Sequence, residues 1–116
     1  MINILINGYA CQVAFVSKDD EDLGEGNWGR FIPEKMLIVV DESLNEAMTK
    51  EVLVHELTHA TLCVQGRYNQ ATFTHEEVCE FVGWCGGDIL QTANDVMAHI
   101  RKEKRRIEGL REIADE

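Results

Sequence analysis

Val54-His55-Glu56-Leu57-Thr58-His59-Ala60 is the stretch on which the reading of this chain turns. It contains a His-Glu-x-x-His motif. On an α-helix, residues four apart share a face, with their Cβ atoms about 5–6 Å apart. His55 and His59 can therefore aim two imidazoles at one point, at the nitrogen distance of about 2.0–2.1 Å that suits Zn²⁺. Glu56 sits one step round the helix, beside that point, where it can take a proton from a water held there. Leu53, Val54, Leu57, Ala60, Leu62 and Val64 surround the motif. They predict a buried turn of helix rather than an exposed one with two unrelated histidines. Buried imidazoles need partners for their ring nitrogens, and a metal supplies them.

Working outward, Ser43-Leu44-Asn45-Glu46 reads as a capping box, Ser as N-cap and Glu three residues on. It predicts a helix from Leu44 to about Val64, stopped by Gly66. Leu53, Leu57, Ala60 and Val64 form one stripe, assigned to a sheet. Met48, Val52, His55, His59 and Cys63 form another, assigned to the metal and the next helix.

Upstream, Ile2 to Ile6 reads as a strand, Asn7-Gly8 as a hairpin turn because both positions tolerate positive φ, and Ala10 to Ser17 as the return strand. Lys18 to Asn27 is acidic and contains glycine, so a loop is expected. Trp28 to Ile32, a Pro33-Glu34-Lys35 turn and Met36 to Val40 complete a small, mostly antiparallel sheet.

Downstream, Gly66 to Phe73 is a polar loop and Thr74-His75-Glu76-Glu77 a second capping box. Val78, Phe81, Val82, Cys85, Ile89, Ala93, Val96 and Ile100 follow at helical spacing. Gly83, Gly86 and Gly87 interrupt that stripe, marking a close approach to a neighbour or a bend. Arg101 to Glu116 is highly charged, either helix projecting into solvent or a frayed end.

The composition sets limits. A chain of 116 residues, 45% hydrophobic and 28% charged, suits one compact domain and is too short for two, and the strands followed by helices make its expected class α+β. No apolar run approaches the ~20 residues that cross a bilayer. Met1 to Ile6 lacks the basic start of a secretory signal, so a cytoplasmic location is expected. Cys11, Cys63, Cys79 and Cys85 form no C-x-x-C pair and read as small, reduced hydrophobic filler. The net charge of −10 argues against direct nucleic-acid binding, which needs clustered Lys and Arg. Asp19-Asp20-Glu21-Asp22 and the basic run from Arg101 to Arg106 read as a solvated loop and a solvated helix face.

A catalytic zinc site takes three protein ligands and one open position. The second helix offers His75, Glu76, Cys79 and Glu80. Cys63 lies a further turn beyond His59, several ångströms from the metal at about 1.5 Å per residue. His55-Glu56-Leu57-Thr58-His59, followed after a loop by Glu76-Glu77-Val78-Cys79-Glu80-Phe81, resembles a gluzincin-type zinc metallopeptidase. The resemblance is to small phage- or prophage-encoded proteins related to the ImmA/IrrE metallopeptidases, and it spans about Met36 to Ile89. It implies a zincin-like fold, a small sheet packed on an active-site helix and a second long helix. It implies Glu76 as third ligand and Glu80 as a supporting residue. Asn or Asp is the usual residue at that supporting place, so Glu80 stays an alternative ligand. It also implies that Met36 to Val40 is the edge strand along which an extended substrate lies.

The chemistry so implied is peptide hydrolysis with Zn²⁺, Glu56 acting as general base on a peptide or protein substrate. Tyr68, Arg67 and His75 are candidates for stabilising the oxyanion. His99 reads as a helix-face residue, and Trp28 and Trp84 as core or rim aromatics. Two other classes stand beside the enzyme: a zinc-containing phage accessory or inhibitor protein that acts by binding, and a metal-stabilised core with no chemistry.

Overall fold

The computed structural model describes residues 1–115. It is α+β: four strands at the N-terminus, then two helices. Strands β1 (Ile2–Ile6), β2 (Tyr9–Val16), β3 (Gly29–Ile32) and β4 (Leu37–Asp41) form one sheet in the order β1-β2-β4-β3. The hairpin forms as expected. Asn7 and Gly8 take φ of 50° and 84°, which sets Ile6 opposite Tyr9 and Ile2 opposite Val13. β3 and β4 are also antiparallel, but β2 and β4 run parallel, Val13 beside Ile38.

That order corrects one expectation. Met36 to Val40 is no edge strand, because β4 is paired on both sides, and the edge beyond it is β3. All five residues of β4 are buried, as a strand covered on both faces requires. Ile38 and Val40 face the main core with Cys11, Val13, Phe31, Leu53, Leu57 and Ala60. Leu37 and Val39 face a second cluster closed by Leu23 and Ile32. The acidic loop before β3 is therefore not wholly solvated. Its Leu23 is 0% exposed and covers the back of the sheet.

Helix α1 (Glu46–Val64) begins two residues later than the capping box suggested. Asn45 is the N-cap, accepting from the Met48 N–H at 2.9 Å. Ser43 is unavailable, since its N–H and hydroxyl both donate to Asp41 Oδ1, at 2.9 and 2.7 Å. Gly66, at φ 74°, ends the helix. Its N–H donates to the Cys63 carbonyl and that of Arg67 to the Leu62 carbonyl, the paired bonds of a Schellman stop.

Helix α2 (His75–Asp115) starts on the second capping box: the Glu77 N–H donates to Thr74 Oγ1 and the Thr74 N–H to Glu77 Oε1, both at 3.1 Å. Two contacts orient it. Gln65 Nε2 donates to Cys85 Sγ at 3.2 Å, and Arg101 pairs with Glu46 at 3.2 Å. The end of α1 thus meets the early part of α2 and its start meets a later part, so the helices are antiparallel. α2 overhangs α1 at both ends. At about 1.5 Å per residue its 41 residues run about 60 Å, matching the molecule's 60 Å long axis.

The overhang explains where the α2 stripe departs from expectation. Cys85, Ile89, Ala93, Val96 and Met97 are buried, with Phe81 and Ile100 packed beside them. Val78, expected on the stripe, is exposed because it lies beyond the end of α1, and Val82 is exposed while its neighbour Phe81 packs on the core. The charged tail is projecting helix through Asp115; Glu116 lies outside the described residues. Among the described residues no helix is long and apolar enough to cross a membrane. All four cysteines are free; Cys11 and Cys85 are buried as filler, but Cys79 is exposed. Burial pushes the Cys11 thiol up to about 11.

Candidate metal centre

The two histidines come together. Their ring centroids are 5.0 Å apart, with the planes at 74°. Two imidazoles sharing one tetrahedral zinc at about 2.0–2.1 Å would place their centroids about 5 Å apart, so the pair has the separation such an ion requires. Glu56 Oε1 is 4.0 Å from His55 Nε2. Its side chain is only 9% exposed, whereas that of His55 is 69% exposed.

The motif is therefore split differently from the expected buried turn. Successive helical residues are rotated by about 100°. Leu57 faces the core and lines the α1–α2 seam with Thr61, Cys85 and Ile89. His55 and His59 are two steps either side of Leu57, nearly opposite that seam. The stripe holding Met48, Val52 and His55 does not face the next helix; it faces Trp28 and Gly29 across a groove of about 450 Å³. His59 faces Tyr68, whose ring lies 6.1 Å from His59 and 5.7 Å from Phe31 in edge-to-face contacts.

Gly29 makes this groove possible. A Cβ there would lie 2.4 Å from Val52 Cγ1 and 3.3 Å from Glu56 Cγ, so only glycine lets β3 come this close to α1. The backbone before it is pinned: the Asp41 N–H donates to the Trp28 carbonyl at 2.9 Å, and Asn27 Nδ2 donates to the Leu23 carbonyl at 2.9 Å. Sequence reasoning missed Gly29, although a lone glycine opening a strand is a signal of close backbone approach.

Glu76 is not brought to the histidines. Gln65 is level with Cys85; His59 lies before Gln65 on α1, and Glu76 before Cys85 on α2, on opposite sides of that level. Counting residues at about 1.5 Å each puts Glu76 about 20 Å from His59 along the helix axes. Glu76, Cys79 and Glu80 are exposed, as is His75. Among the described residues no group of three or more His, Cys, Asp or Glu side chains could hold a metal ion. The centroid separation of the histidine pair is compatible with a shared zinc, and the expected third donor, Glu76, stands apart from it.

Of the oxyanion candidates, Tyr68 alone is placed against a motif histidine. Arg67 is committed elsewhere, 2.9 Å from Glu77 Oε2 and over the Phe73 ring. His99 and Trp84 are exposed on α2. No family model, curated protein or solved structure matches this chain.

Proposed function

We propose that the chain is a zinc-dependent peptidase-like protein in which His55 and His59 hold the metal and Glu56 is the general base. One observation carries this reading: two imidazoles at the separation of paired zinc ligands, with a largely buried carboxylate beside them. Zinc held there would supply Lewis acidity toward a carbonyl and acidify a coordinated water to a pKa of about 7. The chain's own residues do the rest. Glu56, through Oε1, receives the proton of the attacking water and delivers it to the leaving nitrogen. β3 is an edge strand beside Glu56 through Gly29, so an extended peptide can add to the sheet there by main-chain hydrogen bonds. Tyr68, with its ring against His59, is the donor best placed for a developing oxyanion. Glu76 as third ligand, and Glu80 as its alternative, enter by resemblance alone, as do the phage origin and the cytoplasmic setting.

Replacing Glu56 by Gln tests the reading. Peptide hydrolysis should fall by about 10²–10⁴, while zinc content and folding stay as in the parent. Biological activity that survives Glu56→Gln overturns the enzyme reading. It would favour a second one, an accessory or inhibitor protein acting by binding, which the remoteness of Glu76 from the histidines supports.

A further inference from the structure

The groove beside Glu56 has a chemical character that the hydrolytic reading does not use. Its wall is Trp28, 57% exposed on a backbone pinned at Asn27 and at its own carbonyl. Its floor is Met48 and Val52, and Glu51 stands at its rim, one helical turn before His55. Glu51 is exposed and has no ion pair with any described residue. Among the described residues no Lys or Arg lines the groove.

We infer that this groove is a binding pocket for one cationic side chain, Arg or Lys, of a peptide bound along β3. The open face of an indole attracts a guanidinium or ammonium within about 6 Å of its ring. The apolar floor suits the methylene stem that such a side chain lays along a surface. The Glu51 carboxylate, free of a partner, completes the match at the charged tip. An anionic side chain would meet the exposed Glu51 carboxylate. An aliphatic one would leave both the carboxylate and the ring face unused. A net charge of −10 draws basic peptides toward the surface before any contact forms. The inference shares with the hydrolytic reading the premise that a peptide adds along β3, and His55 and Glu56 of that reading line the same groove.

The two tryptophans make the test direct. In a Trp84→Phe chain, Trp28 is the sole indole, and Trp84 is exposed on α2. Blocked pentapeptides that differ only in a central Arg, Lys, norleucine or Glu are titrated against its fluorescence. The Arg and Lys peptides are expected to bind at least about tenfold more tightly than norleucine, and Glu the least. Glu51→Gln should collapse that preference to within about threefold while leaving norleucine affinity unchanged. Trp28→Ala in the full chain, followed by calorimetry, should weaken the cationic peptides. Equal affinity for all four, no binding of any, or a cationic preference that survives Glu51→Gln overturns the pocket. Cleavage is scored in parallel on the same peptides. Selective binding without cleavage leaves the pocket standing and sinks the peptidase. Cleavage indifferent to Arg or Lys does the reverse.

Discussion

α1 and the first turns of α2 carry the same kinds of donor, and the fold treats them in opposite ways. On α1, Leu53, Leu57 and Ala60 are at most 1% exposed, so core packing fixes the rotation of the helix and hence the direction of His55, Glu56 and His59. On α2, His75, Glu76, Cys79 and Glu80 precede the level where α1 ends, with no core beneath them. The histidine pair is thus preorganised by burial on the far side of its helix. The start of α2 is held by a capping box and by Arg67 and Gln70, which both donate to Glu77 Oε2.

The contrast breaks most visibly at Leu57. Leu57→Ala removes a side chain that is 1% exposed and should cost about 2–5 kcal/mol of stability in chemical denaturation. A comparable truncation at the exposed Val78 of α2 should cost well under about 1 kcal/mol. Next in size is Gly29→Ala. Its Cβ collides with Val52, so strand and helix must part, at about 1–3 kcal/mol by the same measurement.

The α2 cap responds to pH rather than to packing. The Thr74 N–H, then the Gln70 and Thr74 side chains, hold the Glu77 carboxyl below the ordinary glutamate range. Its stabilising share is therefore fully present above the unfolded-state pKa and is lost as the pH falls through the lowered folded value. The stability difference between parent and Glu77→Gln, measured by denaturation across pH, should be constant near neutrality and vanish in acid. A difference that grows in acid would contradict the cap. Smallest of all, deleting residues 108–116, whose described side chains are mostly exposed on overhanging helix, should change stability by less than about 0.5 kcal/mol.

Much of this was legible in the sequence wherever local chemistry decides the outcome. Asn7-Gly8, Gly66 and the Thr74/Glu77 box each carry their own turn or cap, and each forms as read. The first capping box failed because Asp41 competes for Ser43, a contact outside the motif. Helix periodicity gave the two stripes of α1 but not which of them meets α2, since that depends on how the helices cross. The position of β3 and the reach of Trp28 over α1 are likewise long-range. They follow from Leu23 anchoring a loop that looked merely acidic, and from the missing Cβ of Gly29. The histidine spacing survives all of this because it is a property of one helix alone.

The most direct test is a calorimetric zinc titration of the metal-stripped full chain, repeated with alanine at His55, His59, Glu76 and Glu80. One zinc per chain is expected, lost in both histidine variants. Glu76→Ala and Glu80→Ala, whose side chains stand apart from the histidines, should keep the parent's zinc affinity; a loss of about 10-fold or more in either would mean that α2 does bring a carboxylate to the metal. A chain that takes up no zinc, or histidine variants that bind it as the parent does, would contradict the account.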